Sequence, residues 1–281
     1  MTIRARWAPA GAAGCVVLLV ATWFTAFYVG IFRAADLWTF LGFIDLHRHG
    51  AVQAVAGVLV WLCNPHTYVL WAPVVVVIAL LRGRPRAALG AGAILLGANV
   101  TTEALKRVVH VPQPAGMLGG WVPVPATAWP SGHSTAAMAV VLALMLVSPG
   151  RVRPVVAALG AAFAVAVGYS LVATGMHFPS DVFAGYLVAT TWALVIVAAL
   201  SAAERRWPSG ATVDRVSMRA ALVPQAAVVV AGVALVGVVA LTRPHDVLSY
   251  AEAHKQLMAV AAAIATLSVG LSTGVLLSLR R

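Results

Sequence analysis

Long apolar runs alternate along this chain with short polar islands, and the length of the runs decides what they can be. A helix that crosses a bilayer needs about 20 apolar residues. Eight runs come near that length, at about residues 10–32, 55–81, 87–108, 133–149, 154–175, 181–203, 221–242 and 257–279. The first, from about Pro9 to Ile31, is longer than the ~7–15 residues of a signal-peptide core, so it reads as a span that stays in place. The second is interrupted by Asn64-Pro65-His66. Proline removes a backbone donor and kinks a helix, so residues 51–81 read as one crossing with an irregular or interfacial beginning. The pattern therefore predicts an all-α, polytopic membrane bundle of about eight transmembrane helices. Residues 1–281 form a single integral membrane domain with no soluble domain beside it.

Composition sharpens this reading. Of 281 residues, 62% are hydrophobic and 10% charged, against about 25% charged in soluble domains. The net charge of +11 could mark a nucleic-acid binder. However, the arginines form no patch; they stand in small groups between apolar runs, so no nucleic-acid partner is expected. With eight spans, the cytoplasmic segments would hold thirteen Lys and Arg residues and the outer ones six. That is the direction of the positive-inside rule, and it places both termini in the cytoplasm. Trp7 and Trp207 fall at expected membrane edges, where amphipathic rings anchor. Glu204 to Arg219 becomes a cytoplasmic loop and Thr242 to Gln256 an outer one. Two lysines against seventeen arginines, with abundant Ala, Val and Gly, hint at a GC-rich bacterial genome, hence a bacterial plasma membrane. Cys15 and Cys63 lie in apolar runs and read as small buried hydrophobes. They allow neither a disulfide framework nor a zinc spacing.

Three polar islands fall on the outer face by span parity. The first follows the third run: Thr101-Thr102-Glu103-Ala104-Leu105-Lys106-Arg107, then His110 and Gln113-Pro114. Lys106 at a helix end can snorkel to headgroups, and Glu103 can pair with Lys106 or Arg107 at helical spacing. The second, Trp129-Pro130-Ser131-Gly132-His133-Ser134, opens the fourth run. Its serine suits an N-cap, and the first turn of a helix is an anion site. The third holds Ser170-Leu171, Gly175, His177, Pro179 and Asp181. Pro179 fits a first helical position, which puts Asp181 in the first turn, within reach of His177. A carboxylate that fixes one ring nitrogen leaves the other free to attack or to take a proton. Each island alone has a plainer reading: a snorkelling lysine, a serine cap, an aspartate capping its own helix.

Together the islands resemble the type 2 phosphatidic acid phosphatase superfamily, in its integral-membrane lipid phosphatase branch; the same fold includes the vanadium haloperoxidases. The family pattern is a lysine, six residues, then Arg-Pro; Pro-Ser-Gly-His; and Ser-Arg, five residues, His, three residues, Asp. Here the parts read Lys106 with Gln113-Pro114, Pro130-Ser131-Gly132-His133, and Ser170-Leu171 with His177 and Asp181. Spacing and order are kept over about residues 51–203. The last two spans, about residues 221–279, lie outside the resemblance.

The resemblance implies a six-helix core and a metal-free phosphohydrolase that needs no cofactor and acts on a membrane lipid. In it His177 would be the nucleophile and form a phospho-histidine, and Asp181 would orient it. His133 would be the general acid and then the base. Lys106, Ser131, Gly132 and Gln113 would surround the phosphoryl oxygens. Candidate substrates are polyprenyl phosphates and diphosphates, phosphatidate-like lipids and phosphorylated glycolipid precursors of the cell envelope.

The chain departs from the pattern at both family arginines, which are Gln113 and Leu171 here. A neutral amide and an aliphatic side chain cannot replace a charged guanidinium fork. Three explanations stand side by side. Arg107, His110 or another outer residue supplies the charge. Alternatively, the substrate carries less charge at phosphorus, as in a phosphodiester or a lipid-to-lipid phosphoryl transfer. Or the protein binds lipid phosphates without turning them over.

Overall fold

A computed structural model describes residues 7–47, 50–109, 129–208 and 216–280. Among these the chain forms eleven helices and no strand. They are α1 (Ala8–Tyr28), α2 (Gly30–His47), α3 (Gly50–Cys63), α4 (Pro65–Leu81), α5 (Pro85–Val108), α6 (Gly132–Val147), α7 (Arg153–Ala173), α8 (Pro179–Arg206), α9 (Met218–Thr242), α10 (Pro244–Ala253) and α11 (Lys255–Ser278). Proline opens α4, α5, α8 and α10, where its missing N–H costs nothing and its fixed φ suits the helix.

Six helices are long and apolar enough to cross a membrane: α1, α5, α7, α8, α9 and α11. This is a multi-pass helical bundle, as the run lengths predicted. The interrupted second run is more regular than expected. It is two complete helices, α3 and α4, bent by 61° where they meet, and they qualify as a span only together. Asn64 caps α4 by accepting the His66 N–H at 3.4 Å, and Trp71 Nε1 ties the pair by donating to Leu62 O at 2.9 Å. The fourth run is shorter than expected. Its helix, α6, has 16 residues and is about 24 Å long, less than the ~30 Å hydrocarbon core.

That short helix is the centre of the bundle. Thirteen of its residues are buried, and α4, α5, α7 and α8 pack around it. α1 lies along α8, and α11 against α7 and α8. α9 is peripheral, with only Ala221 and Gln225 buried. Lipid tails are as apolar as leucine, so close packing and hydrogen bonds between helices hold such a bundle together. Thr102 Oγ1 and Thr135 Oγ1 share a hydrogen bond of 2.9 Å between α5 and α6. Trp192 Nε1 donates to Thr101 Oγ1 at 3.0 Å between α8 and α5. Cys15 and Cys63 are both free and buried.

At the end of the bundle where α6 finishes, arginines counted above for their charge also close helix ends. Arg84 Nη1 donates to Val147 O at 2.8 Å and Arg153 Nε to Met145 O at 3.0 Å, both at the end of α6, while Arg280 Nε donates to Val216 O at 3.0 Å in the stretch before α9. Cations suit the last carbonyls of helices, which have no intrahelical partner.

Two helices were not foreseen. The stretch after the first run, which holds no apolar run of span length, is the regular helix α2, which packs against α1, α7, α8 and α11. Likewise α10 lies in the loop between α9 and α11, and its Tyr250 O–H donates to Gly42 O of α2 at 2.6 Å.

Candidate active site

The three islands meet at one end of the bundle, where α5 finishes and α6 and α8 begin. The chain reaches His177 through the end of α7. Gly175 has φ of 74°, a left-handed conformation that glycine adopts without a Cβ penalty. It lets the Gly175 N–H reach Val172 O at 3.0 Å and the Met176 N–H reach Leu171 O at 3.1 Å, the paired bonds of a Schellman stop. The chain then reverses, and Pro179 starts α8 two residues beyond His177.

His177 and Asp181 are joined as their spacing predicted. His177 Nδ1 lies 3.3 Å from Asp181 Oδ2, and the same oxygen accepts the Phe178 N–H at 2.9 Å. The aspartate thus orients the ring and also binds the backbone at the start of its own helix. This is half of a capping box, because Phe178 offers no side-chain acceptor in return. Asp181 is fully buried and His177 nearly so. With Nδ1 beside the carboxylate, Nε2 is the ring nitrogen that Asp181 does not engage.

Ser131 is fully buried and is the N-cap of α6; its Oγ accepts the Ser134 N–H at 3.3 Å. The Ser131 N–H donates to Asp181 O at 3.0 Å, so the second and third islands are tied backbone to backbone. The His133 and His177 ring centroids are 6.1 Å apart, so the two imidazoles are neighbours at the start of α6 and α8. Three buried polar atoms of the islands have no hydrogen-bond partner among the described residues: Trp129 Nε1, His133 Nε2 and Asp181 Oδ1. A buried polar atom without a partner costs about 1–3 kcal/mol, so a ligand that supplied partners here would be favoured.

Lys106 completes the cluster. Its Nζ donates to Glu103 Oε1 at 2.7 Å, the pairing that helical spacing allowed. A Cβ placed on Gly132 would sit 3.3 Å from Lys106 Nζ and 3.5 Å from Glu103 Oε1. Glycine at 132 leaves that place open beside the ammonium group, at the start of α6, where helix N–H groups are free by geometry. The site therefore combines one cation, a helix start, a carboxylate-held histidine and a second histidine. This set can bind an anion and move a proton. Among the described residues no group of His, Cys, Asp and Glu is arranged to hold a metal ion.

The structure thus brings together Lys106, Ser131, Gly132, His133, His177 and Asp181. Gln113 and His110 lie outside the described residues. The Leu171 side chain is fully buried in the apolar core, and it is the backbone carbonyl of Leu171 that serves the turn before His177.

Two residues of the site were not picked out in the sequence. Gly185 is one: a Cβ there would meet Ser134 Oγ at 2.1 Å, Ser131 O at 2.7 Å and Thr135 N at 2.9 Å. Only glycine lets α8 approach the first turn of α6 so closely. Asp36 of α2 is the other. It accepts the Ser180 N–H at 3.0 Å and the Ser180 O–H at 2.5 Å. Burial pushes its carboxyl up to about 7; the bonds from Ser180 pull the other way, and the charge of Asp181 adds to the rise. The signal that could have found Asp36 is an acid standing among apolar residues.

A model of the PAP2 superfamily matches residues 86–205, a stretch that contains all three islands. No curated protein and no solved structure matches the chain.

Proposed function

From the premise that residues 86–205 belong to the PAP2 superfamily, with its phosphatase-type activity on phosphate esters, we propose that this protein hydrolyses a lipid phosphate or diphosphate without a metal, at the extracytoplasmic face of a bacterial plasma membrane. The observation that carries the reading is the convergence of His177, Asp181 and His133. Two segments distant in sequence place a carboxylate-held imidazole and a second imidazole 6.1 Å apart, with Lys106 beside the same helix start.

In the proposed reaction His177 Nε2 attacks phosphorus as the bond to the leaving oxygen breaks. Protonated His133 gives its proton to that oxygen, and the lipid alcohol or lipid phosphate departs. Neutral His133 then takes a proton from water. The water oxygen bonds to phosphorus, the phosphorus–nitrogen bond breaks and inorganic phosphate leaves. Asp181 holds the imidazolium that forms in the first step. Lys106 and the free N–H groups at the start of α6 face the charge developing on the phosphoryl oxygens.

A second reading draws on one observation. The Lys106 ammonium already carries a partner, Glu103 Oε1 at 2.7 Å. A cation so balanced favours a less charged phosphorus, as in a phosphodiester or a lipid-to-lipid transfer, over a dianionic monoester.

The test is phosphate release by the purified, detergent-solubilised protein over a panel of lipid monophosphates, diphosphates and diesters, with His177→Ala alongside. Release that depends on His177 supports hydrolysis. Transfer to an added lipid alcohol, with no free phosphate, supports the second reading. A folded protein that binds lipid phosphate equally well with and without His177, and turns over none, overturns both.

A further inference from the structure

We propose that Asp36 is a positioning residue for the nucleophile: from α2 it fixes the first turn of α8, and through that turn the His177–Asp181 pair. The proposal rests on the reading of His177 as the nucleophile.

The start of α8 is poorly provided for by its own sequence. A helix begins with N–H groups that lack intrahelical partners, and an N-cap side chain usually accepts one of them. The N-cap here is Phe178, which has no acceptor, and the next residue is Pro179, which has no N–H to satisfy. Asp181 turns back to take the Phe178 N–H. The Ser180 N–H is taken by Asp36, 144 positions earlier in the chain, and the same carboxylate also takes the Ser180 hydroxyl. One carboxylate therefore holds both donors of the residue that immediately precedes Asp181.

Two aromatic residues of α2 add to this contact. Four residues on from Asp36, Phe40 is fully buried, and its ring centroid lies 4.6 Å from that of Phe178. Three residues further, Phe43 meets the ring of Tyr169 in α7 at 5.4 Å. Spacings of four and three place these residues on one face of a helix, and that face meets α7 and the turn between α7 and α8. α2 is thus a brace across the segment that carries His177, with Asp36 as its polar fixing point. The Ser131 N–H bond to Asp181 O runs from this same turn to the helix that bears His133. A slack first turn in α8 would therefore change the separation of the two histidines.

A positioning role differs from general support of the fold in what it does to the kinetics. The experiment measures kcat and KM in detergent for the wild-type protein, Asp36→Ala, Ser180→Ala, the double variant, Tyr250→Phe and His177→Ala. The substrate is dioctanoyl phosphatidate, or the panel lipid that the wild type cleaves fastest. Asp36→Ala is expected to lower kcat by roughly 10–100-fold with KM within about twofold, since small misplacements of reacting groups cost that much. Ser180→Ala is expected to lower kcat in the same manner, and the double variant to lose no more than Asp36→Ala, because the two groups act through each other. Tyr250→Phe removes a different tie to α2, the bond to Gly42 O, without touching Ser180; its kcat should stay within about twofold of wild type. The proposal is overturned if Asp36→Ala keeps the wild-type kcat, if its loss lies in KM alone, or if Tyr250→Phe loses as much. Should Asp36→Ala fail to fold, Ser180→Ala decides, a wild-type kcat there being the overturning result. His177→Ala separates this proposal from the reading it rests on. If that variant is active, the nucleophile is wrong; if it is inactive and Asp36→Ala behaves as wild type, only the role of Asp36 is wrong.

Discussion

Replacing Gly185 by alanine adds one methyl group at the tightest crossing in the site. The new Cβ would stand 2.1 Å from Ser134 Oγ, 2.7 Å from Ser131 O and 2.9 Å from Thr135 N. The serine hydroxyl could rotate away by giving up its bond to Ser131 O. The two backbone atoms cannot rotate, so the first turn of α6 would have to retreat by about 0.7 Å from α8 to reach ordinary van der Waals contact. Overpacking of this kind costs about 1–3 kcal/mol of stability. The same retreat moves His133 away from His177, and displacement by about an ångström can cost about 10²-fold in rate. The comparison is Gly160→Ala, whose Cβ would meet Val141 Cγ1 at 2.3 Å, two turns deeper along α6 and against a side chain only. Thermal unfolding in detergent should show both variants destabilised. Phosphate release well below the unfolding temperature should show Gly185→Ala slowed by roughly 10–100-fold and Gly160→Ala within about threefold of wild type. A Gly185→Ala protein with the wild-type kcat would refute the argument that this crossing sets the distance between the histidines.

Other expectations concern the chemistry itself. Asp181→Asn should lower kcat by about 10²–10⁴-fold, because an amide can hold the His177 ring in the wrong tautomer; a loss below tenfold would speak against an orienting carboxylate. Lys106→Met should lower kcat/KM by about 10²–10³-fold, and an unchanged value would move the phosphate away from Gly132. Vanadate, which mimics pentacoordinate phosphorus, should inhibit while EDTA should not; strong sensitivity to EDTA would require a metal enzyme. The carboxyl of Asp36 is raised from its ordinary 3.8 to about 7, so between these values the folded protein holds more protons than the unfolded chain. Wild-type stability should therefore fall relative to Asp36→Asn as pH rises from about 4 to 7, and the difference should be level above about 8. Melting curves across that range check it, and a slope of the opposite sign would refute it.

Much of the fold was open to reading because run length in a membrane protein is a physical constraint and not merely a tendency. The site was open to reading for a related reason: histidine, lysine and aspartate are conspicuous against apolar helices, and span parity brought Lys106, His133 and His177 to one end. What stayed hidden had specific causes. α2 carries Arg33, Asp36 and Asp45 among its apolar residues, so its sequence is too charged to read as a span, and nothing local announces a helix. The partner of Asp36 is Ser180, a pairing across 144 positions that no window of sequence contains. Gly185 is one of 24 glycines, and only the path of α6 past α8 separates it from the others. Leu171 looked like an empty place at the phosphate; its side chain belongs to the core and its carbonyl to the turn.

The central position of α6 has a consequence for how activity fails under stress. An element buried on all sides exposes its amides only when its neighbours separate, whereas a peripheral one opens on its own. In hydrogen exchange, α9 should label early and α6 last of all. Heat or harsh detergent should strip α9 from the bundle before it disturbs the start of α6, so the histidines should outlast part of the structure around them. Loss of turnover during storage or purification would then report the disassembly of the whole core, and a preparation that still hydrolyses substrate could already have lost its outermost helix.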